Sequence, residues 1–285
     1  MVKQSAKKIN DVGKIVILGA GPTGLGAAYR LKELGYKNFT VIEKLDHVGG
    51  LASSFVDKQG FTWDIGGHVL FSHYTYFDEL MTKALPETDW LQHERESWLW
   101  TQNTFVPYPF QNNIRYLPKE VMLNCLNGLI ENCENPQLAK PANFREWILS
   151  TFGKGIADEF MFPYNLKTWA FPLEQMSYQW IGERVSVVNL KRILKNIIYN
   201  KDDRSWGPNN RFQFPKNGGT GAIWNGVTNL IGQEKFRLNA EVVRIAKSSK
   251  KCYLKDGSAT SYDLILNTAP LDILVSYIDD LSTDI

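Results

Sequence analysis

Residues 14–30, KIVILGAGPTGLGAAYR, decide the fold. Residues 15–19 read as a short buried strand that ends in a sharp turn at glycine. Gly19, Gly21 and Gly24 fill a G-x-G-x-x-G pattern, and Gly26 follows. Residues 27–31 then read as a helix opening off that loop. The order has a physical cause. Gly19 permits the tight turn, Gly21 lets backbone approach a pyrophosphate, and Gly24 lets helix and strand pack closely. The helix N-terminus presents unpaired N–H groups and a positive dipole end to phosphates.

Working outward, residues 39–43 read as a second strand ending in an acid, Glu43. It follows the glycines at about the ~20-residue spacing of a carboxylate that holds adenosine ribose hydroxyls. A lone glycine pattern is weak; here a strand precedes it, a helix follows it, and an acid-tipped strand comes next. Lys44 lies just past the acid, and Gly49-Gly50-Leu51 follows a few residues on. A Gly-Gly pair there is typical of FAD-binding folds and favours FAD over a simple NAD site, although glycines also favour ordinary turns.

The 285 residues suffice for one large or two modest domains with a real core. With 44% apolar and 22% charged residues the chain is globular rather than disordered. A net charge of +2 gives no argument for nucleic acid or an anionic membrane. Cys125, Cys133 and Cys252 are too few and too scattered for a disulfide framework or a cysteine-rich metal site, which fits a reducing compartment. Residues 1–14 are polar and lysine-bearing, unlike a secretory signal. No run approaches the ~20 apolar residues that span a bilayer. The expectation is a soluble cytoplasmic protein with no metal.

Further along, residues 61–65 alternate as a strand and run into Gly66-Gly67-His68, where backbone passes something closely. Taken alone, His68 reads as a hydrogen-bonded structural histidine. A helix is predicted over 74–85, ended by Pro86. Residues 98–106 read as a hairpin turning at Gln102-Asn103. The segment after it, Pro107-Tyr108-Pro109-Phe110-Gln111-Asn112-Asn113, is predicted extended, because proline fixes φ and denies helix to the residue before it. Rings beside an amide suit a nucleobase, and they equally suit a rigid connector with buried rings.

Residues 117–200 turn helical. Val121, Met122, Leu126, Leu129 and Ile130 form one stripe. Asn143 caps a helix that Gly153 closes, and Asn189 caps another. Asn165 and Trp169 share a face if their stretch is helical. Arg184 suits phosphate or sugar oxygens, or a surface ion pair. A second glycine loop at 218–221 precedes an apolar helix and is placed to bring backbone against a flavin ring. Strands near 240–245, 252–255 and 262–270 return the chain to the cofactor sheet. The expected division is 1–110, a first FAD-binding part; 111–205, a helical substrate-side insertion; and 206–285, a return to the FAD-binding domain. The fold class is α/β: a Rossmann-like parallel sheet of the glutathione-reductase type, an inserted helical domain and a small antiparallel sheet.

Laid out together, GAGPTGLGAA, GGLASS, GGHVLFSHY, VPYPFQNN, FMFPYNLKTWA, GERV, WGPN and FPKNGGTGAIW resemble the UDP-galactopyranose mutases of the eukaryotic type, over residues 14–270. The resemblance implies a flavoenzyme interconverting UDP-galactopyranose and UDP-galactofuranose with no net redox change. The implied chemistry is attack of reduced-flavin N5 on the anomeric carbon, with NADPH or NADH as reductant. Carried over, Gly19, Gly21, Gly24, Glu43, Lys44, Gly49, Gly50, Leu51 and Val242 would hold FAD. Gly66, Gly67 and His68 would lie beside the flavin ring. Phe71, Tyr108, Phe110, Gln111, Asn165 and Trp169 would take the uridine end. Arg184 and Asn209 would face diphosphate and sugar, with Arg95 where the nicotinamide nucleotide docks; His68 and Arg184 are the implied catalytic pair. A homo-oligomer is compatible. Family members are much longer than this chain, so a fragment or a truncated form with weak FAD binding and little turnover is also expected. The alternatives are an amine-oxidase- or desaturase-like flavin oxidoreductase, which shares the front end, and an inactive cofactor-binding fragment.

Overall fold

The computed structural model of the chain describes residues 12–68, 70, 72, 74–136, 140–182, 185–204 and 211–279. In chain order its elements begin with β1 (Ile15–Leu18), α1 (Pro22–Glu33), β2 (Phe39–Ile42), β3 (Ser54–Val56), β4 (Thr62–Asp64) and α2 (Thr75–Ala84). Next come β5 (Trp90–Glu94), β6 (Trp98–Thr101), β7 (Thr104–Pro107), α3 (Lys119–Glu134), α4 (Phe144–Ile156), α5 (Phe162–Trp169) and α6 (Leu190–Ile198). The rest are β8 (Arg211–Pro215), α7 (Gly221–Ile231), β9 (Phe236–Arg237), β10 (Val242–Ala246), β11 (Lys251–Leu254), β12 (Ala259–Ser261), β13 (Leu264–Asn267) and α8 (Leu271–Tyr277). They group into two compact units, Met1–His93 with Gln213–Ile285, and Glu94–Phe212.

The first unit is built on a sheet of order β13-β1-β2-β9, every pairing parallel. Its central strands are covered on both faces, which explains why β1 is apolar at every position instead of alternating. Ile15, Ile17, Phe39 and Val41 point into a core with Leu25 and Ala28 of α1, Leu80 and Met81 of α2, and Ile223 and Val227 of α7. Val16, Leu18 and Ile42 face the other way and pack with Val242, Ile245, Cys252 and Leu254 from the antiparallel sheet β10-β11-β12. The α/β class, the parallel sheet and the small antiparallel sheet are those expected from sequence.

The second unit is mainly helical. The β6–β7 hairpin turns at Gln102 and Asn103, with φ of 49° and 56°. Both central residues are left-handed, as a two-residue turn matched to strand twist requires. Asn143 and Asn189 cap as expected: their side chains accept from the N–H of Glu146 and of Arg192, each at 3.0 Å. The stripe on α3 buries Leu129 and part-buries Val121, Met122 and Leu126, but Ile130 is exposed. Gly153 leaves helical geometry (φ 71°, ψ 165°) and ends the first segment of α4, as expected; a second segment continues to Ile156 beyond the kink, and an added methyl on Gly153 would overlap the Gly128 carbonyl of α3.

The boundaries fall at 93/94 and 212/213, so the hairpin groups with the helices. Residues 107–113 are extended only through Pro109. Phe110–Asn112 and Ile114–Tyr116 then wind into short 3₁₀ turns, which gather the buried Phe110, Gln111 and Asn113 under the helices. Among the described residues no helix is long and apolar enough to cross a membrane.

Candidate functional site

In the first unit the glycine loop joins β1 to α1, with Pro22 at the first helical position, where its missing N–H costs nothing. A methyl on Gly24 would overlap the Gly19 carbonyl oxygen, so Gly24 is what lets α1 lie on β1. Gly21 is different: an added methyl would meet nothing within 4 Å. The space beside Gly21 lies at the N-terminus of α1, where no side chain caps the helix. The wall across from it is the second glycine pair. Gly49 donates to the Ala20 carbonyl at 2.9 Å, and an added methyl on Gly50 would stand 3.2 Å from the Gly21 Cα. Leu51, 78% exposed, sits in the turn just after that pair.

Glu43 is 7% exposed at the end of β2. One carboxylate oxygen accepts the Ala20 N–H at 2.7 Å and the other accepts the Leu45 N–H at 3.0 Å. Each oxygen keeps a second lone pair, enough to accept a hydroxyl from a ribose. The backbone of Glu43 also accepts the Ala240 N–H at 2.8 Å. That bond brings Val242, paired to Leu254, to the same end of the sheet as the acid. Lys44 is exposed. These features fit a dinucleotide: a cradle open at one glycine, an uncapped helix end and a positioned acid.

Two other expectations for this unit come out differently. Gly66 has φ +118°, and Gly67 and His68 are exposed. His68 makes no hydrogen bond among the described residues, so it is not the bonded structural histidine its residue type suggests. The second glycine loop does not offer open backbone. Methyls on Gly219 and Gly221 would run into Asp64 and Ser54 of the β3–β4 hairpin, which also take the N–H groups of Thr220 and Gly221 at 2.9 and 2.8 Å. Phe71 lies outside the described residues, as do Arg184 and Asn209.

In the second unit the 107–113 segment gathers its candidates. Gln111 is 1% exposed; its amide donates to the Ser186 carbonyl at 2.6 Å, and its side-chain oxygen has no partner among the described residues. A buried acceptor without a donor is costly unless a ligand supplies one. Phe110 is fully buried and stacked on Phe160 (4.5 Å, 21°), so its ring offers no free face, contrary to its expected role as a stacking surface. Burial raises the Tyr108 phenol above its ordinary pKa, Tyr164 adds to the rise, and Arg95 opposes it. Asn165 and Trp169 do share a face of α5, which starts directly after a π-helical turn, Ala157–Met161. Asn165 donates to the Met161 carbonyl at 2.8 Å; Trp169, 46% exposed, meets Trp180 edge-on at 5.1 Å.

Sequence reasoning missed Thr268, whose hydroxyl donates to the Leu18 carbonyl at 2.8 Å beside Gly19, and Asn113, fully buried behind the strip. The Asn-Asn pair after the prolines was the available signal for the latter. The thiols of Cys125 and Cys252 are pushed up by burial to about 12 and about 11, which removes them as nucleophiles.

The profile of the family "Flavin containing amine oxidoreductase" matches residues 22–281. The chain belongs to that family. It is 47% identical to a solved structure of "reduced UDP-Galactopyranose mutase", with a TM-score of 0.90, over 95% of this chain and 58% of that one. It is 26% identical to a "Probable flavin-containing monoamine oxidase A" of Dictyostelium discoideum, over 87% of this chain and 55% of that protein. Over 81 residues, 28% of this chain and 14% of the other, it is 36% identical to a zeta-carotene desaturase of Capsicum annuum. The chain thus spans little more than half the length of the mutase it matches, and less of the desaturase.

Proposed function

We propose that this chain carries the FAD-binding and uridine-binding residues of a UDP-galactopyranose mutase, which interconverts UDP-galactopyranose and UDP-galactofuranose. The observation that carries the proposal is the 47% identity at a TM-score of 0.90 across 95% of the chain. In this reading Gly19, Gly21 and Gly24 with the start of α1 hold the pyrophosphate, and Glu43 holds the adenosine ribose. Lys44, Gly49, Gly50, Leu51 and Val242 line the rest of the nucleotide, and Gly66, Gly67 and His68 lie along the flavin ring. The reduced flavin supplies a nucleophilic nitrogen for the sugar, so the protein needs no nucleophile of its own.

The remaining residues bind and orient. The unpartnered oxygen of Gln111 is a match for the imide N–H of uracil, and the exposed face of Trp169 is available for stacking. Tyr108 and Asn165 belong to the same uridine end; Phe110 supports it from within the core. We assign Phe71, Arg184 and Asn209 to substrate, with Arg184 holding diphosphate charge, and Arg95 to an NADPH or NADH reductant. Action in the cytoplasm and assembly into a homo-oligomer complete the proposal.

The second reading, an amine-oxidising flavoenzyme, is favoured by the family profile and the monoamine oxidase likeness. One experiment separates the two. The chain is loaded with FAD, reduced with dithionite and incubated with UDP-galactofuranose, and the products are resolved by chromatography. Appearance of the pyranose form is the expected result. Hydrogen peroxide released from amines by the oxidised protein, with no sugar conversion, overturns the proposal.

A further inference from the structure

We propose that Asn113 is a positioning residue for nucleotide binding. It fixes the Tyr108–Gln111 strip to a second segment of chain, so that Gln111 presents its acceptor at a set place. The inference rests on the uridine-binding reading of that strip. Asn113 is fully buried, and its side chain is used on both sides. The amide nitrogen donates to the carbonyls of Pro107, Pro109 and Asp203 at 3.2, 3.0 and 2.7 Å. The amide oxygen accepts the Asp203 N–H at 2.9 Å.

Two hydrogens thus serve three carbonyls, two of them flanking Tyr108, and the remaining bonds lock onto a residue 90 positions away. The Pro109 carbonyl also accepts the Asn112 N–H, at 3.1 Å. Without Asn113 the strip loses its side-chain tie to the 203 segment, while Gln111 and Asn112 still bond Ser186 and the Tyr108 N–H still donates to the Ser97 carbonyl. No other side-chain type of this size presents two N–H donors and an acceptor from one planar group. Buried polar groups satisfied in this way rigidify the backbone around them. Rigidity matters here because an acceptor aimed at a base edge loses its use when it is displaced by about 1 Å.

The test is titration of the chain with uridine 5′-diphosphate, read by the tryptophan fluorescence of the second unit. Asn113→Asp keeps the shape and removes both N–H donors; its dissociation constant is expected to rise about tenfold. Asn113→Ser, which keeps one hydroxyl donor and is uncharged, is expected to lose less, and it carries the test if the aspartate variant does not fold. Asn143→Ala removes a helix cap in the same unit away from the strip, and is expected to lower Tm while leaving the affinity unchanged.

The decisive readout is a cycle with Gln111→Ala. If Asn113 acts through Gln111, the double variant binds better than the product of the two single losses. Losses that multiply in full show a merely structural Asn113 and overturn the inference, as do Asn113 variants that bind like the parent. A parent chain without affinity for uridine diphosphate overturns the uridine-binding reading itself, and this inference with it. FAD affinity is expected to be unchanged in every variant, since the glycine cradle belongs to the other unit.

Discussion

The chain has two glycine loops that each open a helix, and they do opposite things. At residues 19–24 the middle glycine faces open space on the side a methyl would occupy, while the Gly49–Gly50 turn closes on its Cα from another side. At residues 218–221 the space that the glycines leave is filled by Ser54 and Asp64, which also take the loop's N–H groups. Both loops lack side chains for the same steric reason, close approach. In one the approaching group is another part of the protein, and in the other the protein leaves room for something else. Glycine content therefore marks proximity, and only the partner decides whether the loop is a cradle or a joint.

Substitutions ranked by their expected effect on stability sharpen this contrast. Gly24→Ala drives a methyl into the Gly19 carbonyl, where backbone cannot yield. A loss of about 3 kcal/mol or more is expected in urea unfolding, with α1 detached from β1. Gly219→Ala has φ +61° and meets the Asp64 and Ser54 side chains. It is expected to lose about 2 kcal/mol while the folded fraction keeps its FAD affinity in flavin-fluorescence titration. If that affinity falls as well, the joint is part of the cofactor site and the contrast breaks.

Glu43→Gln puts an amide donor against either the Ala20 or the Leu45 N–H, so a loss of about 1–2 kcal/mol is expected together with weaker FAD binding. Gly21→Ala has room for its methyl and an ordinary φ of −71°. Its thermal midpoint is expected to stay within an amount equivalent to about 0.5 kcal/mol, while FAD affinity drops at least tenfold. Unchanged FAD affinity in Gly21→Ala would show that the open space is not where the pyrophosphate lies.

How far these features could be read in advance follows from the range of the forces involved. The β1–loop–α1 unit, the turn at Gln102-Asn103 and the caps at Asn143 and Asn189 are set by residues a few positions apart, and they were legible as such. The fate of the 218–221 loop depends on Ser54 and Asp64, whose distance in sequence hides the contact. Phe110 reads as a stacking ring until Phe160 is brought against it. The winding of 110–116 likewise comes from burial under the helices, which overrides the extended preference that the two prolines impose locally. Gly153 reads as a helix end, but its use as a crossing point depends on Gly128 from the neighbouring helix.

Glu43 joins three pieces of chain: its carboxylate ties Ala20 and Leu45, and its carbonyl ties Ala240. The residue proposed to recognise the cofactor is thus also a rivet of the domain. Selection on such a position acts twice, once through catalysis and once through folding. A descendant that had abandoned the reaction would still be held to an acid there, so retention of this residue among relatives testifies to a shared architecture more than to a shared chemistry.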